Sequence, residues 1–162
     1  MDALEQLAGR VGGLLLERNR LLATAESCTG GWVAKCITDI AGSSAWFDRG
    51  FVTYSNRAKQ DMLGVVAATL EVHGAVSEAT VGEMARGALA HSAADIAVAV
   101  SGIAGPGGGV PGKPVGTVCF AWVVSDGAPR VGTRQFDGDR EAVRRQSVVH
   151  ALEGLVDVLG AG

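Results

Sequence analysis

Ser27, in the run Ala25-Glu26-Ser27-Cys28-Thr29-Gly30-Gly31, sits between a short apolar segment and the start of a helical one. That is where an α/β chain presents a nucleophile or grips an anion. Gly30 and Gly31 let the backbone approach a ligand closely, and the N–H groups around Thr29, Gly30 and Gly31 are expected to form an oxyanion hole. A serine hydroxyl needs a base, usually histidine. Here His73 falls in a linker, while His91 and His150 lie on or at the ends of helices with no acidic motif beside them. The lysines are Lys35, Lys59 and Lys113, and only Lys59 lies one turn into a helix that starts where a strand ends. To serve as a base it must lose its proton, so a pKa of ~10.4 has to fall by about three, or roughly 4 kcal/mol, which burial can supply. Tyr54, the single tyrosine, is suited to relay a proton or orient that lysine.

On the residues alone, other chemistries stay open. Ser27 equally suits a plain helix-start hydroxyl, the paired glycines a phosphate site without catalysis, and Lys59 a solvated helix face. Cys28 competes as the nucleophile, because a thiolate at a helix N-terminus is activated by the dipole.

The elements that must hold these groups follow from periodicity. Leu4, Leu7, Ala8, Val11, Leu14 and Leu15 recur at helical spacing, and Asn19 and Arg20 end that helix. Residues 21–25 form a strand covered on both faces. After the glycines, Val33, Cys36, Ile37 and Ile40 define a helix that Thr29 caps. A second strand over 46–54 leads to a short helix capped by Ser55 and closed by Gly64. A linker follows, then a helix begun by Ser77 with Val81, Met84, Ala85, Ala88 and Leu89 on its apolar face. Residues 96–100 alternate valine or isoleucine with alanine, as in a central strand packed closely by helices. Residues 101–112 are too rich in glycine to pack as an element and read as a long functional loop. Strands over 115–124 and 130–136 make a hairpin around Asp126-Gly127, and Asp139 opens the closing helix. The sum is one α/β domain spanning 1–162, with three layers and a mixed sheet of about five strands covered by helices on both faces.

Ligands in such a sheet gather beyond the carboxyl ends of strands. Four segments are expected there or close by: 27–31, 54–59, 101–109 with Ser101, Gly102 and Gly105, and 138–140 with Arg140.

Composition narrows the partners. A net charge of −3 disfavours nucleic acid, and Arg140, Arg144 and Arg145 make only a small basic cluster. No apolar run reaches membrane-spanning length, and the acidic start does not read as a secretory signal. Cys28, Cys36 and Cys119 are odd in number and lack CxxC spacing, which argues against a disulfide framework or a zinc site and favours a reducing cytoplasm. A homo-oligomer, with a dimer favoured, is the expected assembly.

Four ordered motifs carry a resemblance that covers nearly the whole chain: 25–31, Gly50-Phe51-Val52-Thr53-Tyr54-Ser55-Asn56, Ser101-Gly102-Ile103-Ala104-Gly105-Pro106 and Lys113-Pro114-Val115-Gly116-Thr117. By these the chain resembles the CinA C-terminal domain family. The resemblance implies a serine–lysine hydrolase without metal or cofactor, cleaving the carboxamide of nicotinamide mononucleotide to nicotinic acid mononucleotide and ammonia in pyridine nucleotide recycling. It implies Ser27 rather than Cys28 as nucleophile, Lys59 as base and Tyr54 as an auxiliary residue. The N-terminal nucleotide-hydrolysing domain of longer members, and its activity, are expected to be absent. A mononucleotide also needs a cation for its phosphate, with Arg140 the first choice and Arg145 the second, and Glu26 is expected to orient Lys59 or the ribose. A non-catalytic nucleotide-binding module is the alternative.

Overall fold

A computed structural model describes residues 2–161. Helix α1 (Ala3–Glu17) is capped by Asp2, which accepts from the Glu5 N–H at 2.9 Å, and buries Leu4, Ala8, Val11 and Leu15. Strand β1 (Leu22–Glu26) is buried throughout and leads through the glycine turn into α2 (Trp32–Thr38). After a 3-10 turn at Ser43–Ala45 comes β2 (Phe47–Val52), then α3 (Asn56–Leu63), which starts on the Ser55 cap and stops at left-handed Gly64. The stretch read as a linker contains a helix, α4 (Ala67–His73), so His73 ends a helix. Its N-cap, Val66, has no capping side chain of its own. Glu83 supplies the cap from afar, accepting from the Val66 N–H at 2.8 Å and the Thr69 hydroxyl at 2.6 Å. Helix α5 (Glu78–Ala90), β3 (Ile96–Gly102), β4 (Thr117–Val124), β5 (Arg130–Gln135) and α6 (Arg140–Ala161) complete the domain. Asp139 precedes α6 and accepts from the Ala142 N–H, as its cap.

The sheet is mixed, in the order β2-β1-β3-β4-β5, with the first three strands parallel and the last two antiparallel. Alternation sorts its two faces by size. Leu22, Ile96, Val98, Val100, Phe120 and Trp122 meet the helices α1, α2 and α6 on one face. Ala23, Ala25, Ala97, Ala99 and Ala121 face α5 on the other, where small side chains let the helix settle close to the sheet. Against α5 in turn lies α3, so closely that a Cβ added at Gly87 would stand 2.0 Å from the Leu63 carbonyl oxygen. Helix α3 is thereby held by backbone contact.

The parallel register fixes what meets at the carboxyl edge. Glu26 stands beside Val52 and Val100, the Ser27 N–H donates to Val100 O at 2.9 Å, and the Thr53 N–H donates to Glu26 O at 2.8 Å. The ends of β1, β2 and β3 therefore deliver Ser27, Tyr54 and Ser101 to one place.

Candidate active site

Ser27 continues the parity of Ala23 and Ala25, which directs it to the face that carries α3. Lys59 enters from the first turns of α3 and is 1% exposed, among the largest fully buried side chains described. Its Nζ lies 2.9 Å from Ser27 Oγ, 2.9 Å from Thr53 O and 3.3 Å from Tyr54 O. The ion pairs among the described residues do not include it. Burial pushes its pKa down to about 8, with only a slight opposing effect from Cys28. As an ammonium it donates to all three oxygens. As an amine it has two N–H bonds for the two carbonyls and one lone pair, which then faces the Ser27 hydroxyl. The site thus accepts both protonation states of the lysine with Ser27 as the partner that changes role.

These groups open into a cavity of about 280 Å³ that also takes in Cys28, Tyr54, Asn56, Ala75, Val76, Arg140 and residues of the 101–108 loop. Ser101, Gly102 and Gly105 line it as expected. Arg140 Nη1 donates to Gly105 O at 2.9 Å and Nη2 to the Tyr54 phenol oxygen at 3.2 Å. Tyr54 therefore contributes in two ways: its backbone carbonyl touches the serine–lysine pair, while its ring is 62% exposed at the rim and tied to Arg140. A larger concavity of about 570 Å³ surrounds the β4–β5 turn, at the other end of the sheet from Ser27.

Several expectations are corrected. Glu26 reaches neither Lys59 nor the cavity: it is 1% exposed on the opposite face, where its carboxylate accepts from Thr29 Oγ1 (2.6 Å) and the N–H groups of Val33 (2.9 Å) and Ala34 (3.1 Å). Glu26, not Thr29, caps α2. Thr29 is fully buried and spends its hydroxyl on that carboxylate. Gly30 and Gly31, at φ of +58° and +102°, make the left-handed bend that carries the chain into α2. They line a separate concavity with Trp32, Lys35 and Arg144, and the Gly30 N–H donates to Ser27 O at 3.0 Å, so Gly30 does not offer its N–H to an oxyanion beside Ser27. Arg145 faces a different hollow, with Asp2, Lys35 and Asp39, and Arg140 is the arginine of the cavity. Cys28 is 6% exposed, three residues short of the Gly31 N-cap, and burial with the nearby Glu26 charge pushes its thiol up to about 12. A thiol with that pKa is almost wholly protonated at neutral pH and a poor nucleophile.

Sequence reasoning missed three contributions. Asn56 lines the cavity and lay inside a quoted motif, so it could have been named. Ala75 and Val76 carry no chemical signal. Arg144 braces the turn behind the nucleophile, donating to Cys28 O at 3.0 Å and Thr29 O at 3.3 Å while its guanidinium stacks over Trp32. Among the described residues no group of three or more His, Cys, Asp or Glu side chains is placed to hold a metal ion.

Comparison with known proteins gives the chain its family. The family model of the CinA C-terminal domain matches residues 4–159. The nicotinamide-nucleotide amidohydrolase PncC of Escherichia coli K12 is 60% identical over 152 residues, which cover 94% of this chain and 92% of that protein. The protein of the same name from Pseudomonas putida is 56% identical over 160 residues, 98% of each chain. Among solved structures, the competence/damage inducible protein CihA of Agrobacterium tumefaciens superposes with a TM-score of 0.94 at 48% identity, covering 99% of this chain and 97% of that one. A CinA superfamily protein of Klebsiella pneumoniae gives 0.95 at 45%, covering 99% and 100%. By the matched model and by relatives similar over nearly its whole length, the chain belongs to the CinA C-terminal domain family.

Proposed function

We propose that this chain is an amidohydrolase that converts nicotinamide mononucleotide to nicotinic acid mononucleotide and ammonia through a Ser27 acyl-enzyme. One observation carries the mechanism: a buried lysine, with no ion-pair partner among the described residues and with a lowered pKa, 2.9 Å from a serine hydroxyl at the carboxyl edge of the sheet. The name borne by relatives at 56–60% identity, nicotinamide-nucleotide amidohydrolase, supports the substrate.

In this reading Lys59 Nζ takes the Ser27 proton as Oγ attacks the amide carbon. The tetrahedral intermediate collapses as the Lys59 ammonium returns that proton to the departing nitrogen, which leaves as ammonia. Water then attacks the ester, giving a proton to Lys59, and that proton goes back to Ser27 Oγ as the acid departs. We assign the developing oxyanion to the N–H of Cys28, the residue after the nucleophile, which lines the cavity while the Gly30 N–H is engaged by Ser27 O. Arg140 holds the phosphate at the rim, and Tyr54 steadies Arg140. The enzyme needs no cofactor in this reading and serves pyridine nucleotide recycling. Three unpaired, buried cysteines suit a reducing cytoplasm, and a homodimer is the proposed assembly.

The test is ammonia release from nicotinamide mononucleotide by wild type, Ser27→Ala and Cys28→Ala. We expect activity in wild type and Cys28→Ala and its loss in Ser27→Ala. Full activity in Ser27→Ala would overturn the mechanism. Tight binding without ammonia release by wild type would make the chain a binding module instead.

A further inference from the structure

The loop between β3 and β4 is a flap whose residues line the Ser27 cavity. Its base is clamped, with the Ile103 N–H donating to Thr117 O at 2.9 Å and the Gly116 N–H to Ile103 O at 2.8 Å. Its tip is a tight turn in which Val110 and Lys113 exchange N–H···O bonds of 3.0 and 2.9 Å around Pro111 and Gly112. Between base and tip run Gly105, Gly107, Gly108 and Gly109, of which Gly105 and Gly108 hold left-handed backbone at φ of +84° and +95°.

Two long side chains, Arg140 and Lys113, tie this flap to elements other than the strands it joins. Arg140 holds it near the base through Gly105 O. Lys113 holds it at the tip, where Nζ donates to the carbonyl of His73, the last residue of α4. A carbonyl at a helix C-terminus lacks an intrahelical donor and sits at the negative end of the dipole, so it suits an ammonium. Just beyond it, Ala75 and Val76 form one wall of the Ser27 cavity, and Gly105, Gly107 and Gly108 of the flap form another. Lys113 therefore ties two walls together from outside the cavity. Ser27 itself lies at the floor of this cavity, 7% exposed.

We propose that residues 103–116 are a lid and that Lys113 is its latch. The lid swings away from residues 73–76 to admit the nucleotide, and the bond from Lys113 to the His73 carbonyl re-forms to close the cavity over it. Lys113 is a positioning residue: it touches neither substrate nor the serine–lysine pair, and it favours the closed, substrate-holding state. This proposal rests on the amidase reading above.

The experiment compares the full chain as wild type, Lys113→Met and Lys113→Arg. Loss of one charged hydrogen bond should raise KM for nicotinamide mononucleotide by about fivefold to tenfold in Lys113→Met, with kcat within about twofold. Lys113→Arg should restore KM. Amides of 104–112 should exchange with deuterium faster in Lys113→Met, while those of β3 and β4 stay unchanged. An unchanged KM with unchanged exchange would overturn the latch, as would a fall in kcat at constant KM or a matching loss of protection throughout the sheet. If wild type releases no ammonia, the amidase reading fails and the latch is judged on exchange alone. Nicotinamide mononucleotide should then protect 104–112 in wild type and not in Lys113→Met, and equal protection, or none in either, would overturn it.

Discussion

Among the described residues Glu26 and Lys59 are the two charged side chains buried almost completely, each 1% exposed, and they lie on opposite faces of the sheet. The carboxylate of Glu26 is met by three donors, two of them N–H groups of the first turn of α2. Lys59 meets two neutral carbonyls and a hydroxyl, and no anion among the described residues. Burial of a charge is tolerable when hydrogen bonds and a helix dipole answer it, and the result is a structural cap. Burial that is only half answered moves the pKa instead, and the result is a base. One residue apart in the chain, Glu26 and Ser27 belong to these two different kinds of site.

The comparison breaks most sharply at the lysine. Lys59→Met should lower ammonia release by about a thousandfold, the loss expected when a general base is removed. Lys59→Arg should be no better, because a guanidinium keeps its proton.

The next effect is read in pH. The base works unprotonated, so kcat/KM should rise about tenfold per pH unit below about 8 and level off above it. Folding carries the same signature. The unfolded lysine titrates near 10.5 and the folded one near 8, so between those values the unfolded chain binds more protons and stability rises with pH. Relative to Lys59→Met, wild type should gain about 3 kcal/mol across that window in denaturant titrations, with the full penalty present below pH 8. A flat difference would return Lys59 to the class of ordinary buried side chains.

Glu26→Ala probes the other half. It leaves two helix N–H groups and the Thr29 hydroxyl without their acceptor and should cost about 2–3 kcal/mol in a urea melt. The folded fraction should keep the wild-type pH profile, since Glu26 lies outside the cavity. Smallest is Cys28→Ala, which should leave kcat within about twofold because the thiol stays protonated at working pH.

Much of this was legible in the chain. Ser55 and Ser77 announced helix starts by local capping, and the alternation of alanine with valine in 96–100 announced a central strand packed closely by helices. Ser27 and Lys59 were legible because each follows a strand. What escaped depends on distance in sequence or on angle around a helix. Helix α4 is capped by Glu83, beyond the reach of a local signal. Glu26 caps a helix from seven and eight residues upstream, a spacing outside the usual box. Arg140, Arg144 and Arg145 form one cluster on paper, and the turn of α6 sends them to the cavity, to the back of the Ser27 turn and to a separate hollow.

The pairing of β1 with β3 bears on how the enzyme comes into being. The bond from the Ser27 N–H to Val100 O joins residues separated by most of the first hundred positions, while the β4–β5 hairpin and the helices close over short spans. Contacts of long sequence separation are slow to form, because a large loop must close before they contribute. In refolding, recovery of helical signal should therefore run ahead of recovery of ammonia release, and the interval between them times the arrival of β1 between its two parallel neighbours.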